Sequence, residues 1–195
     1  MVPALQIKDQ TIVDGVAKLS EISDVAFSVE FPLEPSISSP APPLRSFSST
    51  FGSETLAKAL DNLCELDRTF TWKRNGNTAN IFPRSLENDS SYLMNRRIDR
   101  VTFKNTPDAQ KAVFEAVAQL AGPKEQIAVL QSGLSIAFPH AWTASFKSVT
   151  VREVFDRIAQ QLGPTYGWQF GGGADFRVVT FHQRLSVKPA RASQR

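Results

Sequence analysis

The chain has 195 residues, enough for one large domain or two of about 100 residues each. Its 42% hydrophobic and 21% charged residues exclude wholesale disorder, and no stretch approaches the roughly 18 apolar residues of a membrane-spanning helix. The formal net charge is +3, and the segment from Lys188 to Arg195 supplies three basic residues and no acid, so the remainder is near neutral and a basic nucleic-acid-binding face is disfavoured.

The first elements follow from apolar spacing. "ALQIK" reads as a short strand. Ile12, Val16, Leu19 and Ile22 recur at three and four, which predicts a helix over 11–23 capped by Asp9 or Thr11. In "VAFSVEF", Val25, Phe27, Val29 and Phe31 alternate, as in a strand with one buried face. Five prolines between Pro32 and Pro43 then predict an extended loop, because proline lacks the amide that helices and central strands use. "SFSSTF" is a strand. The helix predicted from Thr55 to Leu66 has Leu56, Leu60, Leu63 and Cys64 on one stripe and Thr55 as its cap. "TFTWKR" and "TANIF" form a hairpin, since Asn75-Gly76-Asn77 supplies the positive φ of a tight turn.

"SLENDSSYLMNRRID" keeps no period and reads as a linker. After it "RVTFK" is a strand, and a helix is predicted from Pro107 to Ala121 with Ala109, Val113, Val117 and Leu120 inward, stopped by Gly122-Pro123. "IAVLQ", "SIAF" and "TASFKSV" read as three short strands. The last helix, Thr150 to Leu162, opens with the capping box Thr150-x-x-Glu153 and ends at Gly163-Pro164. "TYGWQF", the turn "GGGAD" and "FRVVTFH" make a second hairpin.

Each half thus reads strand, helix, strand, strand, helix, strand, strand. "FGSETLAKALDNL" and "FKSVTVREVFDRI" match Phe51 with Phe146, Ser53 with Ser148, Thr55 with Thr150 and Asp61 with Asp156. Leu56, Leu60 and Leu63 face Val151, Phe155 and Ile158, and Trp72 corresponds to Trp168. The expected fold is α+β: two similar small domains, residues 1–84 and 98–185, each with two helices on one face of a small sheet. Residues 85–97 would link them, and 186–195 would be a flexible basic tail. Phe155→Asp is then expected to unfold the second domain and leave the first intact.

"FGSETLAKALDNLCELDRTFTWKRNGNTANIF" and "FKSVTVREVFDRIAQQLGPTYGWQF" resemble the second half of the short N-terminal domain of secretins and TonB-dependent receptors, and "TIVDGVAKLSEISDVAFSVEF" resembles its first half. The resemblance covers residues 4–84 and 98–183 as tandem copies. It departs from the family in the length of the proline-rich loop and in the exit of the second copy's first helix. It implies a periplasmic module that contacts other envelope proteins without catalysis.

The residues able to carry chemistry are few. His140 and His182 have no histidine or cysteine at ligand spacing, so no metal site is expected; His140 is placed in a turn beside Trp142 and His182 exposed at a strand end. Cys64, the sole thiol, lies on an apolar stripe and reads as buried and inert. No serine sits in a Gly-x-Ser-x-Gly elbow. Asp61 and Asp156 each follow an inward helix position and are expected to face solvent. Gly171 to Asp175 joins two strands, unlike a phosphate-binding loop, which leads into a helix.

The expected function is therefore a non-enzymatic protein–protein interaction module of a bacterial cell envelope, with no catalytic, cofactor or metal residue. Its partner would be another protein, meeting an exposed strand edge. The N-terminus "MVPALQIKDQ" lacks a basic start followed by an apolar run, so a periplasmic location requires that a leader was removed; otherwise the cytoplasm is expected. The alternative is a single-stranded nucleic-acid binder with paired RNA-recognition-like domains, in which Phe70 and Trp72, and Tyr166, Trp168 and Phe170, would stack on bases.

Overall fold

The computed structural model describes residues 1–31, 44–120, 127–131, 136–172 and 177–183. The proline-rich loop, the Gly122-Pro123 stop, most of the "GGGAD" turn and the basic tail lie outside these residues.

Helix starts follow the caps. Thr11 opens α1 (Ile12–Ile22) with a reciprocal box: Asp14 N–H donates to its hydroxyl, and its own N–H donates to the Asp14 carboxylate at 2.9 Å. The Thr55 hydroxyl accepts from Lys58 N–H at the head of α2 (Leu56–Leu66). Thr150 and Glu153 form the predicted box at the head of α4 (Val151–Leu162). The remaining helix, α3 (Ala109–Val117), is shorter than predicted. Its cap is Asp108, whose carboxylate accepts from Lys111 N–H at 2.7 Å, and Pro107 belongs to the preceding strand rather than to the first turn.

The strands are β1 (Leu5–Gln10), β2 (Ala26–Glu30), β3 (Phe47–Phe51), β4 (Phe70–Asn75), β5 (Thr78–Pro83), β6 (Arg97–Asp108), β7 (Ile127–Gln131), β8 (Ala137–Thr150), β9 (Tyr166–Gly172) and β10 (Arg177–Gln183). The fold is mixed α/β. β8 is one strand of 14 residues that absorbs most of the two short ones expected there, held against β6 by an antiparallel ladder with two register shifts.

Six strands form one sheet in the order β4-β5-β2-β9-β10-β7, and β1-β3 and β6-β8 are separate antiparallel ribbons. In the large sheet β2 runs parallel to β5, which is antiparallel to β4. In the other half β7 runs parallel to β10, which is antiparallel to β9. The join is the parallel pair β2–β9, with Val29 opposite Gln169 and Glu30 opposite Phe170. The two small sheets expected from sequence are thus continuous.

Pairing also fixes which way side chains point. Phe27, Val29, Ala79 and Ile81 enter one core with α1 and α2; Trp168, Phe170, Val179 and Phe181 enter another with α3 and α4. Residues paired across parallel strands share a face, so Phe170 lies on the side of Glu30, opposite Val29. The two helix pairs therefore cover opposite faces of one sheet. Side chains of α4 also reach the back of β2 and β5. That is why all of β2 and β5 is buried, where alternation predicted one exposed face for β2. The stretch read as a linker contributes Tyr92, Leu93 and Met94 to the second core.

Candidate functional site

Two tryptophans, each on the strand that follows a helix, make the same hydrogen bond. Trp72 Nε1, on β4, donates to Asp61 Oδ1 of α2 at 2.9 Å. Trp168 Nε1, on β9, donates to Asp156 Oδ1 of α4, also at 2.9 Å. The surroundings differ. Trp72 is half-buried and Asp61 exposed, whereas Trp168 and Asp156 are fully buried.

What buries the second pair is the first half of the chain. Asn75 Nδ2 and Asn80 Nδ2 both donate to Asp156 Oδ2, at 2.7 and 2.9 Å. Burial raises the Asp156 carboxyl to about 6, against the pull of Asn80, Asn75, Trp168 and the Arg152 charge toward ionisation. Asp156 was expected to face solvent, and the structure corrects this. Its helix position does point away from its own core stripe, but it points at the back of β5.

A second tie lies one helical turn earlier. Arg152 forms a bidentate pair with Glu30 through Nε and Nη2, the latter at 3.0 Å, and its Nη1 donates to Asn95 Oδ1 at 2.7 Å. The guanidinium stacks 4.5 Å from the Phe82 ring centroid. Burial pushes the Glu30 carboxyl up while Arg152 pulls it down. A third feature is steric. A Cβ on Gly167 would stand 1.8 Å from the Phe27 carbonyl oxygen, so only glycine lets β2 and β9 approach there.

Among the described residues, the α2–β4 surface carries the matching Trp–Asp pair without a cover. A hollow of about 380 Å³ is lined by Asp61, Cys64, Glu65, Thr71, Trp72 and Arg84. An apolar crevice beside it is lined by Val25, Leu56, Ala57, Leu60, Trp72, Arg74 and Ala79. Arg84 donates to the backbone carbonyls of Arg68 and Phe70 at 3.1 and 3.0 Å, so its guanidinium is engaged along the start of the strand. The β4–β5 ladder continues at Arg84 N–H to Thr69 carbonyl, at 2.8 Å. By antiparallel alternation, Thr71, Lys73 and Asn75 bond to β5, and the N–H and C=O of Trp72 and Arg74 point to the free edge. On β9 the matching outward group, the Phe170 carbonyl, accepts from Phe31 N–H at 2.8 Å.

The remaining candidates fall elsewhere. Cys64 is buried on α2, and burial pushes its thiol up to about 12. His140 is exposed on β8 rather than in a turn. His182, expected to be exposed, is buried on β10 near Gly167, which lowers its basicity. The alternating aromatics Trp168 and Phe170 are interior, so they present no stacking platform for bases. No group of three metal-ligating side chains occurs among the described residues, and no helix among them is long and apolar enough to cross a membrane.

No family model matches the chain, and neither a curated protein nor a solved structure shows significant similarity to it.

Proposed function

We propose that the chain is a non-catalytic protein-interaction module of a bacterial cell envelope, built from two copies of one strand-helix-strand-strand-helix-strand-strand unit. The copies would be residues 1–84 and 98–185, as in the short N-terminal domain of secretins and TonB-dependent receptors. Three repeated features support the duplication: the strand pairings on each side of the join, the threonine caps Thr55 and Thr150, and the Trp–Asp hydrogen bonds. The observation that carries the functional reading is the α4–β9 surface, which already grips a strand and two asparagine side chains. Its counterpart α2–β4 lies at the end of the sheet and is open among the described residues, so this unit is equipped to hold protein by sheet extension.

A photo-reactive amino acid placed at exposed Glu65 or Lys73 of the full chain, in its native cells, tests the reading. The expected result is a discrete adduct with another envelope protein. Absence of any intermolecular adduct, or turnover of a small molecule by the purified chain, contradicts it.

A further inference from the structure

We infer that the open α2–β4 surface takes an extended strand of a different protein, laid parallel to β4. That strand brings an amide or hydroxyl donor to Asp61 and, two residues further on, an aliphatic side chain to the crevice beside Trp72. This rests on the interaction-module reading above and narrows it to one surface and one class of partner.

The chain itself provides the template. At the join, β2 lies parallel to β9, and the side chains on the α4 side of β2 and β5 meet that helix. Asp156 Oδ1 holds Trp168, and its second oxygen takes two side-chain amides. Asp61 holds Trp72 in the same way, and its Oδ2 has no hydrogen bond among the described residues. The hollow around it contains two carboxylates, Asp61 and Glu65, the second paired with Arg68 at 3.2 Å, while its guanidinium, Arg84, is turned to backbone carbonyls. A hydrogen-bond donor complements this end.

The other end differs in an instructive way. By the helix alignment Ala57 stands where α4 has Arg152, and Leu60 where α4 has Phe155. Arg74 stands where β9 has Phe170. The smaller residues leave the crevice of Leu56, Ala57, Leu60 and Ala79, so the Glu30 carboxylate of the template has no partner here and an apolar side chain fits in its place. In the template the donors to Asp156 come from β5 and β4, and Asn80 is level with Ser28 of β2, two residues before Glu30. A single strand laid parallel on β4 would carry its donor at that Ser28 level, two positions before the aliphatic residue and on the same face.

The occupant is not a second copy of this chain in the register of the join. The glycine that admits the Phe27 carbonyl, Gly167, corresponds to Thr71 on β4, which carries the Cβ that this approach excludes. The edge is therefore shaped for a foreign strand that stands slightly further off.

A display library of random peptides, selected on the full-length protein, tests the inference. Enriched peptides are expected to share a donor, any residue, then an aliphatic residue, and a synthetic one should slow amide exchange at Trp72 and Arg74. Arg74→Pro removes an outward amide without touching the β4–β5 ladder, and should weaken that peptide at least about tenfold with the unfolding midpoint retained. Asp61→Ala should weaken it roughly fivefold. Selected peptides that bind Arg74→Pro and Asp61→Ala as tightly as the native chain overturn the inference. So does failure to select any peptide, or self-association through β4. If binders map to another edge, the module reading stands and this surface falls; if the cellular adduct is missing as well, both fall.

Discussion

The α4–β9 and α2–β4 surfaces carry the same hydrogen bond in two environments, and the contrast shows how one motif serves as a structural joint or as an open face. On α4 the motif is sealed by Asn75, Asn80, Glu30 and a glycine, so removing a part costs the cohesion of the whole sheet. On α2 the matching positions hold other residues, Ala57 against Arg152 and Thr71 against Gly167, and no asparagine donates to Asp61 among the described residues. Substitutions at matched positions should therefore have unequal effects.

The largest effect is expected at the buried ion pair. Arg152→Ala leaves the Glu30 carboxyl buried without its guanidinium, which should cost about 3–5 kcal/mol in urea denaturation. Arg152→Met combined with Glu30→Gln should recover most of that loss, whereas a loss under about 1 kcal/mol for Arg152→Ala alone would show that the pair does not bind the halves together. Gly167→Ala comes next, at about 3 kcal/mol, because backbone must move to clear the Phe27 carbonyl; Thr71→Ala, at the matched position, should change the midpoint little.

Asp156 predicts a pH dependence. Its folded carboxyl is raised from 3.8 to about 6, so the folded state favours the protonated form. The native chain thus loses stability relative to Asp156→Asn as pH rises from about 4 to about 7, by roughly 2–3 kcal/mol, and the gap stays constant below about pH 4. A pH-independent gap would contradict the burial of that carboxyl. The smallest effect is expected at Asp61→Asn, within about 0.5 kcal/mol at neutral pH, because the group is exposed.

Local signals in the sequence were strong where chemistry is local. The caps Thr11, Thr55 and Thr150 and the Asn75–Asn77 turn each act within a few residues, and they are where the sequence places them. Pro107 misled because a proline suits both a helix start and a strand end, and Asp108 beside it was the better cap. Asp156 and His182 were misplaced for another reason. Their burial depends on segments 76 and more residues away, or on a neighbouring strand, and no period in their own helix or strand reports that. The double burial of β2 has the same origin. Asp61 and Asp156 are visible as the same letter in two matched stretches; that each holds a tryptophan is not.

Hydrogen exchange on Phe155→Asp tests most directly whether the two halves stand as one sheet. The substitution strikes a fully buried side chain that belongs to the second core and not to the first. If α4 and β9 hold the back and edge of β2 and β5, amides of Phe27, Val29, Asn80 and Ile81 will lose protection together with those of β9 and β10. Wild-type protection in β2 and β5, with β9 and β10 exchanging freely, would show two units that merely touch and would contradict the account.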